Sequence, residues 1–376
     1  MFHETLTVKS VDVTDILKLR PSVAVVVKDH FTEFFLTDIR KSISLQMAPD
    51  TAKMLFGLNG EVKVGGWMER NNIPFEQKDN VFALLEYLLK SNVLVHVDEE
   101  YEKSYKTYPR VFSFLENFYS SHSEINAVFK KLQRSVVMII GLGSVGTWIA
   151  KCLSMDAVRH FIFVDNDRVE LSNLHRQVGF TEASIGKYKT DAFREFILSA
   201  DEDADIETIR DVLDDSFFLR HDFGHIDLII DCADYPSVDV TSRIVGEYAM
   251  PRGIAHSIGG GYNLHQTLIG QIVIPGKTAC LECFRKDLDD INEIDTSNIT
   301  KLENRNRKPG SFPPLSALSA SISANEAFKY LTGIGHFTMT NSRVEFSLRD
   351  LNFHRIEMKR RSDCIWCGHH GKYYQL

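Results

Sequence analysis

The 376-residue sequence lacks the long apolar runs that cross membranes, and neither sign of charge dominates it. No run approaches the ~18 apolar residues of a membrane-spanning helix. The first residues lack the basic region and apolar stretch of a signal peptide, so we expect a cytoplasmic protein without a membrane partner. With 43 Lys and Arg residues against 51 Asp and Glu, the net charge of −8 argues against a dedicated nucleic-acid-binding protein.

Internal repeats and low-complexity tracts are also absent. A hydrophobic content of 44% with 25% charged residues is that of a globular protein, which excludes disorder, collagen and coiled coil as the main state. At ~150 residues per domain, the length predicts one large and one small domain.

Cysteine is scarce, with six residues in the chain, and four of them form the pairs Cys280/Cys283 and Cys364/Cys367. Without an export signal, such pairs favour metal binding over disulfides. Two C-x-x-C pairs supply four thiolates for a tetrahedral Zn²⁺, even when they are distant in sequence, because the metal closes the intervening loop. The pattern therefore predicts a structural zinc site without an open coordination position; redox chemistry is the alternative.

Apolar runs alternate with amphipathic stretches from residue 135 onward. The run 135–140 is continuous, as expected of a parallel strand buried on both faces. Further strands are expected at 161–164, 205–209, 227–230, 267–274 and 342–348; helices at 147–155, 187–198 and 238–250; and an irregular segment at 284–312. This alternation predicts an α/β fold with a doubly wound, Rossmann-like and mostly parallel sheet over residues 135–376.

Residues 1–100 have a different pattern and are predicted to form a small α+β domain. The expected elements are β-rich runs at 23–27 and 34–36, helices at 50–58 and 81–89, and a closing strand at 92–97. Helices that lead into a terminal β-ribbon are typical of a winged helix. The aromatic segment 101–134 is predicted to be a helical linker between the two domains.

A glycine-rich loop, Gly141-Leu-Gly143-Ser-Val-Gly146, follows the first buried strand and opens a helix. Glycines allow a tight turn and a close approach of phosphates, and the helix N-terminus offers N–H donors to anionic oxygens. Asp165 ends the next strand, where a carboxylate typically accepts hydrogen bonds from ribose hydroxyls. We interpret the pair as a nucleotide site; a purely structural glycine turn is the alternative.

Polar residues after Asp165 distinguish this site from that of a dehydrogenase. Asn173, Arg176 and Lys189 lie on the side where the phosphates of a nucleotide would sit. A triphosphate needs more positive charge than a dinucleotide, so these residues favour chemistry at the α-phosphate with loss of pyrophosphate. A solvated charged loop is the alternative.

Two further acids, Asp231 and Asp234, follow another buried strand at the edge where such sheets bind ligands. A carboxylate there can hold Mg²⁺ that bridges the phosphates. Asp234 is the candidate; Asp231 could instead cap the following turn, and a structural role is open for both.

Together these motifs resemble the ubiquitin-activating-enzyme-like superfamily in its bacterial ThiF/MoeB branch, over roughly residues 105–370, with 314–333 as a returning helix. The resemblance implies a homodimer that forms an acyl-adenylate. It also implies that Asp165 binds the ribose of ATP and that Asp167 belongs to the same nucleotide site. Asn173, Arg176, Gln177 and Lys189 would contact phosphates, and Asp234 would bind Mg²⁺. Arg110 falls where the family has an arginine that reaches across the dimer into the partner's nucleotide site. No cysteine lies between Cys283 and Cys364, so transfer through a thioester is not expected.

The whole chain is similar to microcin-C-type and pantocin-type maturation enzymes, in which a small peptide-recognition domain precedes the adenylating domain. Residues 1–100 also resemble the PqqD-like element that binds leader peptides by adding a strand to its sheet. They hold 11 basic and 15 acidic residues, a net of 11 − 15 = −4, which disfavours DNA binding by the winged helix. A dimerisation domain is the other alternative.

The expected function is ATP-dependent activation of a carboxyl or amide carbonyl of a ribosomally made precursor peptide. AMP is then either kept, as in the microcin-like route, or lost on cyclisation of an activated glutamate. The N-terminal half shares little with the microcin enzymes beyond architecture and so favours cyclisation. The alternatives are adenylation of a ubiquitin-like sulfur carrier for thiamine or molybdopterin synthesis, and a non-catalytic peptide-presenting scaffold.

Overall fold

The computed structural model describes residues 10–263, 266–292, 310, 312–335 and 340–374. The chain forms two compact units, the first ending at Lys131 and the second beginning at Leu132. None of the described helices is both long and apolar enough to span a bilayer.

The first unit contains two three-stranded antiparallel sheets and short helices. Its strands are β1 (Ile16–Leu19), β2 (Val23–Val27), β3 (Phe31–Leu36), β4 (Lys41–Gln46), β5 (Asn59–Lys63) and β6 (Leu94–His96). Its helices are α1 (Pro49–Met54), α2 (Val64–Arg70), α3 (Lys78–Lys90), α4 (Pro109–Leu115) and α5 (His122–Arg134), the last running into the second unit. The sheets have the orders β2-β3-β4 and β5-β1-β6. Leu17, Phe34 and Leu85 are fully buried in the hydrophobic core that the strands and helices of this unit share.

Several of the elements expected for this unit are present, although the closing strand is only the three-residue β6 (Leu94–His96), which pairs with β1. The strand at 23–27 and the helix at 81–89 are confirmed, the helix extending to Lys78–Lys90. The helix expected at 50–58 is shorter, because α1 ends at Met54 and a 3₁₀ turn at Leu55–Gly57 follows. Within the segment 101–131, α4 and most of α5 form part of the first unit.

The second unit is built on a six-stranded sheet of order β14-β11-β10-β7-β8-β9. The strands of this unit are β7 (Val136–Ile140), β8 (His160–Val164), β9 (Asp205–Ile209), β10 (Leu228–Asp231), β11 (Ala255–Ser257), β12 (Gly261–Asn263), β13 (Gln266–Ile269), β14 (Ile272–Val273), β15 (Ser342–Ser347) and β16 (Asn352–Glu357). Neighbours in the six-stranded sheet are parallel except β11 and β14. The predicted doubly wound sheet is thereby confirmed.

Helices cover this sheet, and a second, antiparallel sheet of order β12-β13-β15-β16 adjoins it. The helices are α6 (Ser144–Met155), α7 (Lys189–Leu198), α8 (Phe217–Arg220), α9 (Val238–Ala249), α10 (Leu281–Asn292) and α11 (Pro313–Thr332). The expected returning helix at 314–333 is α11, which packs against α6 and β13 and stops at Gly333, where φ is +77°.

Two expectations for the later part of the chain are corrected. The segment 284–312 was expected to be irregular, but α10 occupies its start as far as Asn292, and residues 293–309 and 311 lie outside the described residues. The single strand expected at 267–274 is divided into β13 and β14. Gly270 lies between them so close to another segment that a Cβ there would be 2.5 Å from the carbonyl oxygen of Ile258.

Candidate active site and metal centre

A cavity of about 1240 Å³ lies at the carboxyl edge of the parallel sheet in the second unit. Its floor includes Ile140, Val164 and Ile230, which end or nearly end β7, β8 and β10. All the residues predicted to bind the nucleotide line this cavity except Gly146, which lies in the first turn of α6: Gly141, Gly143, Asp165, Asp167, Asn173, Arg176, Gln177, Lys189 and Asp234. The sheet topology thus brings together side chains that are up to 93 residues apart (234 − 141).

The three glycines of the loop have different structural roles. Gly141 has φ of +91°, and a Cβ there would lie 2.7 Å from the carbonyl oxygen of Cys232. A Cβ on Gly146 would lie 2.0 Å from the carbonyl oxygen of Gly141, so the helix approaches the turn as closely as its backbone permits. Gly143, which precedes the first residue of α6, has no atom within 4 Å of its Cβ position. Two glycines therefore allow packing, whereas the third leaves the helix N-terminus open to an anion.

Asp165 lies beside this loop at the end of β8. Its Oδ2 accepts a hydrogen bond from the Leu142 N–H at 2.7 Å, and its Oδ1 accepts one from the Asp167 N–H at 2.8 Å. Burial raises the pKa of the Asp165 carboxyl, although nearby Lys189 acts in the opposite direction. Two backbone donors thus fix the carboxyl while each oxygen keeps capacity for a ribose hydroxyl.

The two cations predicted to contact phosphates are both held by the protein. The Lys189 Nζ lies 2.7 Å from Asp167 Oδ2 and 3.9 Å from Asp165 Oδ2, so Asp167 is its main partner. Arg176 donates to the carbonyl oxygen of Ser172, and its Nη1 lies 3.0 Å from the His175 Nε2. The positive charge is therefore placed at the cavity before any ligand arrives.

Two buried amides complete this side of the cavity. The Asn173 Oδ1 accepts a hydrogen bond from the Glu170 N–H at 2.9 Å, which closes the turn that carries Arg176. Gln177 is also buried, and its Oε1 has no hydrogen-bond partner among the described residues. An unpartnered buried acceptor that lines a cavity is a position where a ligand or water completes the hydrogen bonding.

The two acids after β10 occupy different environments. Asp231 is fully buried, and its Oδ1 accepts from the Ala233 N–H at 3.1 Å while its Oδ2 accepts from the Ser242 hydroxyl at 3.3 Å. Burial raises the pKa of Asp231 to about 7. Asp231 therefore caps the turn, whereas Asp234 is exposed and lines the cavity, and its binding of Mg²⁺ stays a prediction.

Sequence reasoning missed the segment after β9. Asp211, Val212 and Leu213 also line the cavity, after the strand that pairs with the one preceding Asp165. Burial raises the pKa of Asp211, but hydrogen bonds from Arg220 and His221 outweigh it and lower the pKa to about 2. The rule that ligands meet the carboxyl ends of parallel strands, applied to the predicted strand 205–209, would have found this segment.

Arg110 belongs to the first unit. It is in the first turn of α4, where its side chain is exposed. Its role at a partner's nucleotide site stays a prediction.

The four paired cysteines form one buried cluster in the second unit. Their sulfur atoms all lie within 4.8 Å of one another, with Sγ–Sγ distances of 3.5 Å for Cys280–Cys364 and 3.4 Å for Cys283–Cys367. A disulfide requires ~2.05 Å, so all four are free thiols. A tetrahedral zinc with ~2.3 Å bonds separates its sulfurs by ~3.8 Å, and the cluster fits such an ion.

Backbone donors support the cluster from outside. The Arg361 N–H points to Cys283 Sγ and the Trp366 N–H to Cys364 Sγ, both at 3.4 Å. Arg361 is in turn held by Asp287 and Asp290 of α10 at 2.8 and 2.7 Å. Such outer partners orient thiolates and favour their charged form.

Comparison with known proteins gives a consistent result. The ThiF family pattern matches residues 120–366. The adenylyltransferase and sulfurtransferase UBA4 of Scheffersomyces stipitis is 28% identical over 75% of this chain, which spans 62% of that relative's length. The sulfur carrier protein ThiS adenylyltransferase of Escherichia coli is 26% identical over 64% of this chain and 88% of its own length.

Solved structures share the architecture of both units. The crystal structure of E. coli MccB with ATP has a TM-score of 0.71 at 22% identity, covering 94% of this chain and 99% of that one. The same protein with AMPCPP and MccA has a TM-score of 0.70 at 22% identity, covering 93% and 98%. The likeness shows the fold, and the family pattern covers most of the chain, including the glycine loop, the acid after it and three of the four clustered cysteines. The chain therefore belongs to the ThiF family of ATP-dependent adenylating enzymes.

Proposed function

We propose that this enzyme adenylates a carbonyl oxygen of a ribosomally made precursor peptide in the biosynthesis of a peptide antibiotic. The main support for this chemistry is that one cavity is lined by the glycine loop, Asp165, the cations Arg176 and Lys189, and the exposed carboxylate of Asp234. Hydride transfer needs none of the added cations, whereas a displacement at the α-phosphate needs them.

The reaction joins the peptide to the nucleotide and releases pyrophosphate. A carboxylate or amide oxygen of the peptide attacks the α-phosphorus of ATP, a new P–O bond forms, and the bond from the α-phosphorus to the β-bridging oxygen breaks. Negative charge increases on the bridging and non-bridging oxygens, where Arg176 and Lys189 meet it. Without nucleotide, the Lys189 ammonium group lies 2.7 Å from the Asp167 carboxylate. When ATP binds, Lys189 would give up part of this contact and interact with the phosphates. Loss of one such group typically lowers the rate by ~10²–10³.

Two metal ions belong to the proposal. Asp234 would hold Mg²⁺ together with substrate phosphates, since magnesium in such sites uses one or two carboxylates. The ion would neutralise phosphate charge. The four clustered cysteines would hold Zn²⁺, which with four thiolates has no free position and so stabilises the fold.

Two features of the first unit support the proposal that the substrate is a peptide: its likeness to MccB and its free edge strands. The likeness to MccB, a microcin C7 biosynthetic enzyme that has been crystallised with MccA, covers 94% of this chain and so includes that unit. The unit has sheets with free edge strands among its described residues, β2 and β4 in one and β5 in the other. A peptide can add to such an edge through backbone hydrogen bonds, and the net charge of −4 over residues 1–100 disfavours DNA.

A homodimer with Arg110 at the partner's nucleotide site is part of this proposal and rests on the family resemblance. Sedimentation would test the dimer. Mixing an Arg110→Ala chain with an Arg176→Ala chain should restore activity if Arg110 acts in the partner's site, and no restoration would contradict that role.

A sulfur carrier is the second candidate substrate, because the curated relatives include a ThiS adenylyltransferase and a molybdopterin-synthase adenylyltransferase. Mass spectrometry of a candidate precursor peptide after incubation with enzyme and ATP separates the outcomes. A retained AMP indicates the microcin-like route, a loss of water indicates cyclisation, and modification of only a small Gly-Gly protein would contradict the peptide proposal. A peptide that binds but is never modified would instead support the scaffold alternative.

A further inference from the structure

The strand order divides the cavity into two halves. The ribose acid Asp165 follows β8, and the segment of Asp211 to Leu213 follows β9. Both strands lie on one side of β7, which carries the glycine loop, while β10 and β11 lie on its other side. A nucleoside that contacts Asp165 therefore extends toward β8 and β9 and leaves the β10 side for the group that attacks the α-phosphorus.

Tyr235 stands on this second side. It follows Asp234 in the loop after β10, lines the cavity and is 76% exposed. It is the one phenylalanine, tyrosine or tryptophan among the described residues that line the cavity. A ligand that covers such a ring at a cavity wall buries its apolar faces while the hydroxyl group can stay in contact with water.

The loop that carries Tyr235 is fixed on both sides of the ring. The Cys232 N–H donates to the Ile140 carbonyl at 2.7 Å, and the Thr241 hydroxyl donates to the Ala233 carbonyl at 3.0 Å. After the ring, the Ser237 hydroxyl accepts from the Val240 N–H at 3.4 Å and so caps α9. These hydrogen bonds limit the movement of the backbone on both sides of Tyr235, which reduces the entropy lost when a ligand binds.

The charges around the cavity agree with an aromatic contact on this side. Its basic lining residues, Arg168, Arg176 and Lys189, all come from the segment after β8. On the β10 side the described lining residues are acidic, small or apolar, such as Asp234, Ser257 and Ile272. An acceptor there is bound through its planar and apolar surface, not through a basic side chain.

We infer that Tyr235 is a positioning residue whose ring stacks on the planar peptide or carboxamide group next to the reacting carbonyl of the acceptor. This inference rests on the proposed function and adds the residue that orients the acceptor. By holding the attacking oxygen in line with the α-phosphorus, the ring would lower the activation barrier, although it does not contact the atoms whose bonds form or break.

The test compares ligands that differ only in the acyl part. The probes are 5′-O-sulfamoyladenosine, its N-acetylasparaginyl derivative and its γ-glutamyl derivative, the last two imitating a terminal and a side-chain acyl-adenylate. Calorimetric titration of the full-length wild type, Tyr235→Phe and Tyr235→Ala gives each dissociation constant. We expect Tyr235→Ala to weaken at least one acylated probe about tenfold, as follows from uncovering one ring face, with the unacylated probe unchanged. Tyr235→Phe, which keeps the ring, should bind like the wild type.

Three results would overturn the inference. An equal loss for acylated and unacylated probes would mean that the ring contacts the nucleoside. Unchanged binding of every probe by Tyr235→Ala would mean that the ring contacts neither the nucleoside nor the acyl group. A folded wild type that binds no sulfamoyladenosine and no ATP would overturn the proposed function, and this inference with it.

Discussion

The glycine loop permits a paired test of the nucleotide site, because two of its glycines differ in what surrounds them. In Gly146→Ala the new Cβ would lie 2.0 Å from the carbonyl oxygen of Gly141, about 1 Å inside a normal contact. Gly141 cannot retreat, since its own backbone lies against that of Cys232. Overpacking of this kind costs 1–3 kcal/mol or more, and we expect about 3 kcal/mol. For a unit of this size the corresponding loss in Tm is about 6–12 °C.

Gly143→Ala is the matched control for folding and the direct probe of binding. No atom lies within 4 Å of its new methyl group, so the Tm should stay within about 4 °C of the wild type. The methyl would project where phosphates approach the helix N-terminus, and ATP affinity should fall at least tenfold. Differential scanning calorimetry and titration with ATP measure the two effects. Wild-type ATP affinity in Gly143→Ala, or an unchanged Tm in Gly146→Ala, would refute the reasoning.

Three further predictions concern stability. Cys283→Ser should lose about one zinc ion per chain, and its Tm should fall by several degrees. Cys152 is half-buried and lies outside the cluster, so the control variant Cys152→Ser should keep the zinc ion; equal zinc content in both variants would contradict the site. Burial raises the pKa of Asp231 to about 7, against ~3.9 in an unfolded chain. The folded state therefore keeps a proton that the unfolded state has lost, and the free energy of unfolding falls by about 3 kcal/mol as pH rises from 4 to 7. Asp231→Asn should remove that slope in urea titrations, and a wild-type slope in the variant would contradict the assignment. A fragment of residues 1–100 should not fold whereas 1–131 should, because the buried Arg20 donates to the Tyr119 carbonyl at 2.8 Å; a native-like NMR spectrum from the shorter fragment would contradict this.

Local signals made most of the second unit predictable from the sequence. The run before Gly141 forms β7, as predicted, because a parallel strand buried on both faces has a continuous apolar sequence. The strand at 205–209 was placed with its observed bounds, and its alternating polar and apolar residues agree with its position at the edge of the sheet. The glycine loop and the cysteine pairs are short motifs with fixed spacing, so a nucleotide site and a zinc site could be predicted from them without knowledge of the fold.

Contacts between distant segments were not predictable in the same way. The short β1 (Ile16–Leu19) owes its place in a sheet to β6, more than 70 residues later, and has too few residues for a clear period. The ion pair of Lys189 with Asp167 and the burial of Asp231 depend on how loops meet across the sheet edge. The helical start of 284–312 was missed although Leu281, Phe284 and Leu288 have the i, i+3, i+7 spacing of one helix face.

The central claim is that the enzyme cleaves ATP between its α- and β-phosphates when a precursor peptide is present. Peptide-dependent exchange of labelled pyrophosphate into ATP measures this step directly. We predict exchange by the wild type and a loss of ~10²–10³ in rate for Arg176→Ala and Asp234→Ala. Formation of ADP and phosphate instead of pyrophosphate, or undiminished exchange in both variants, would contradict the account.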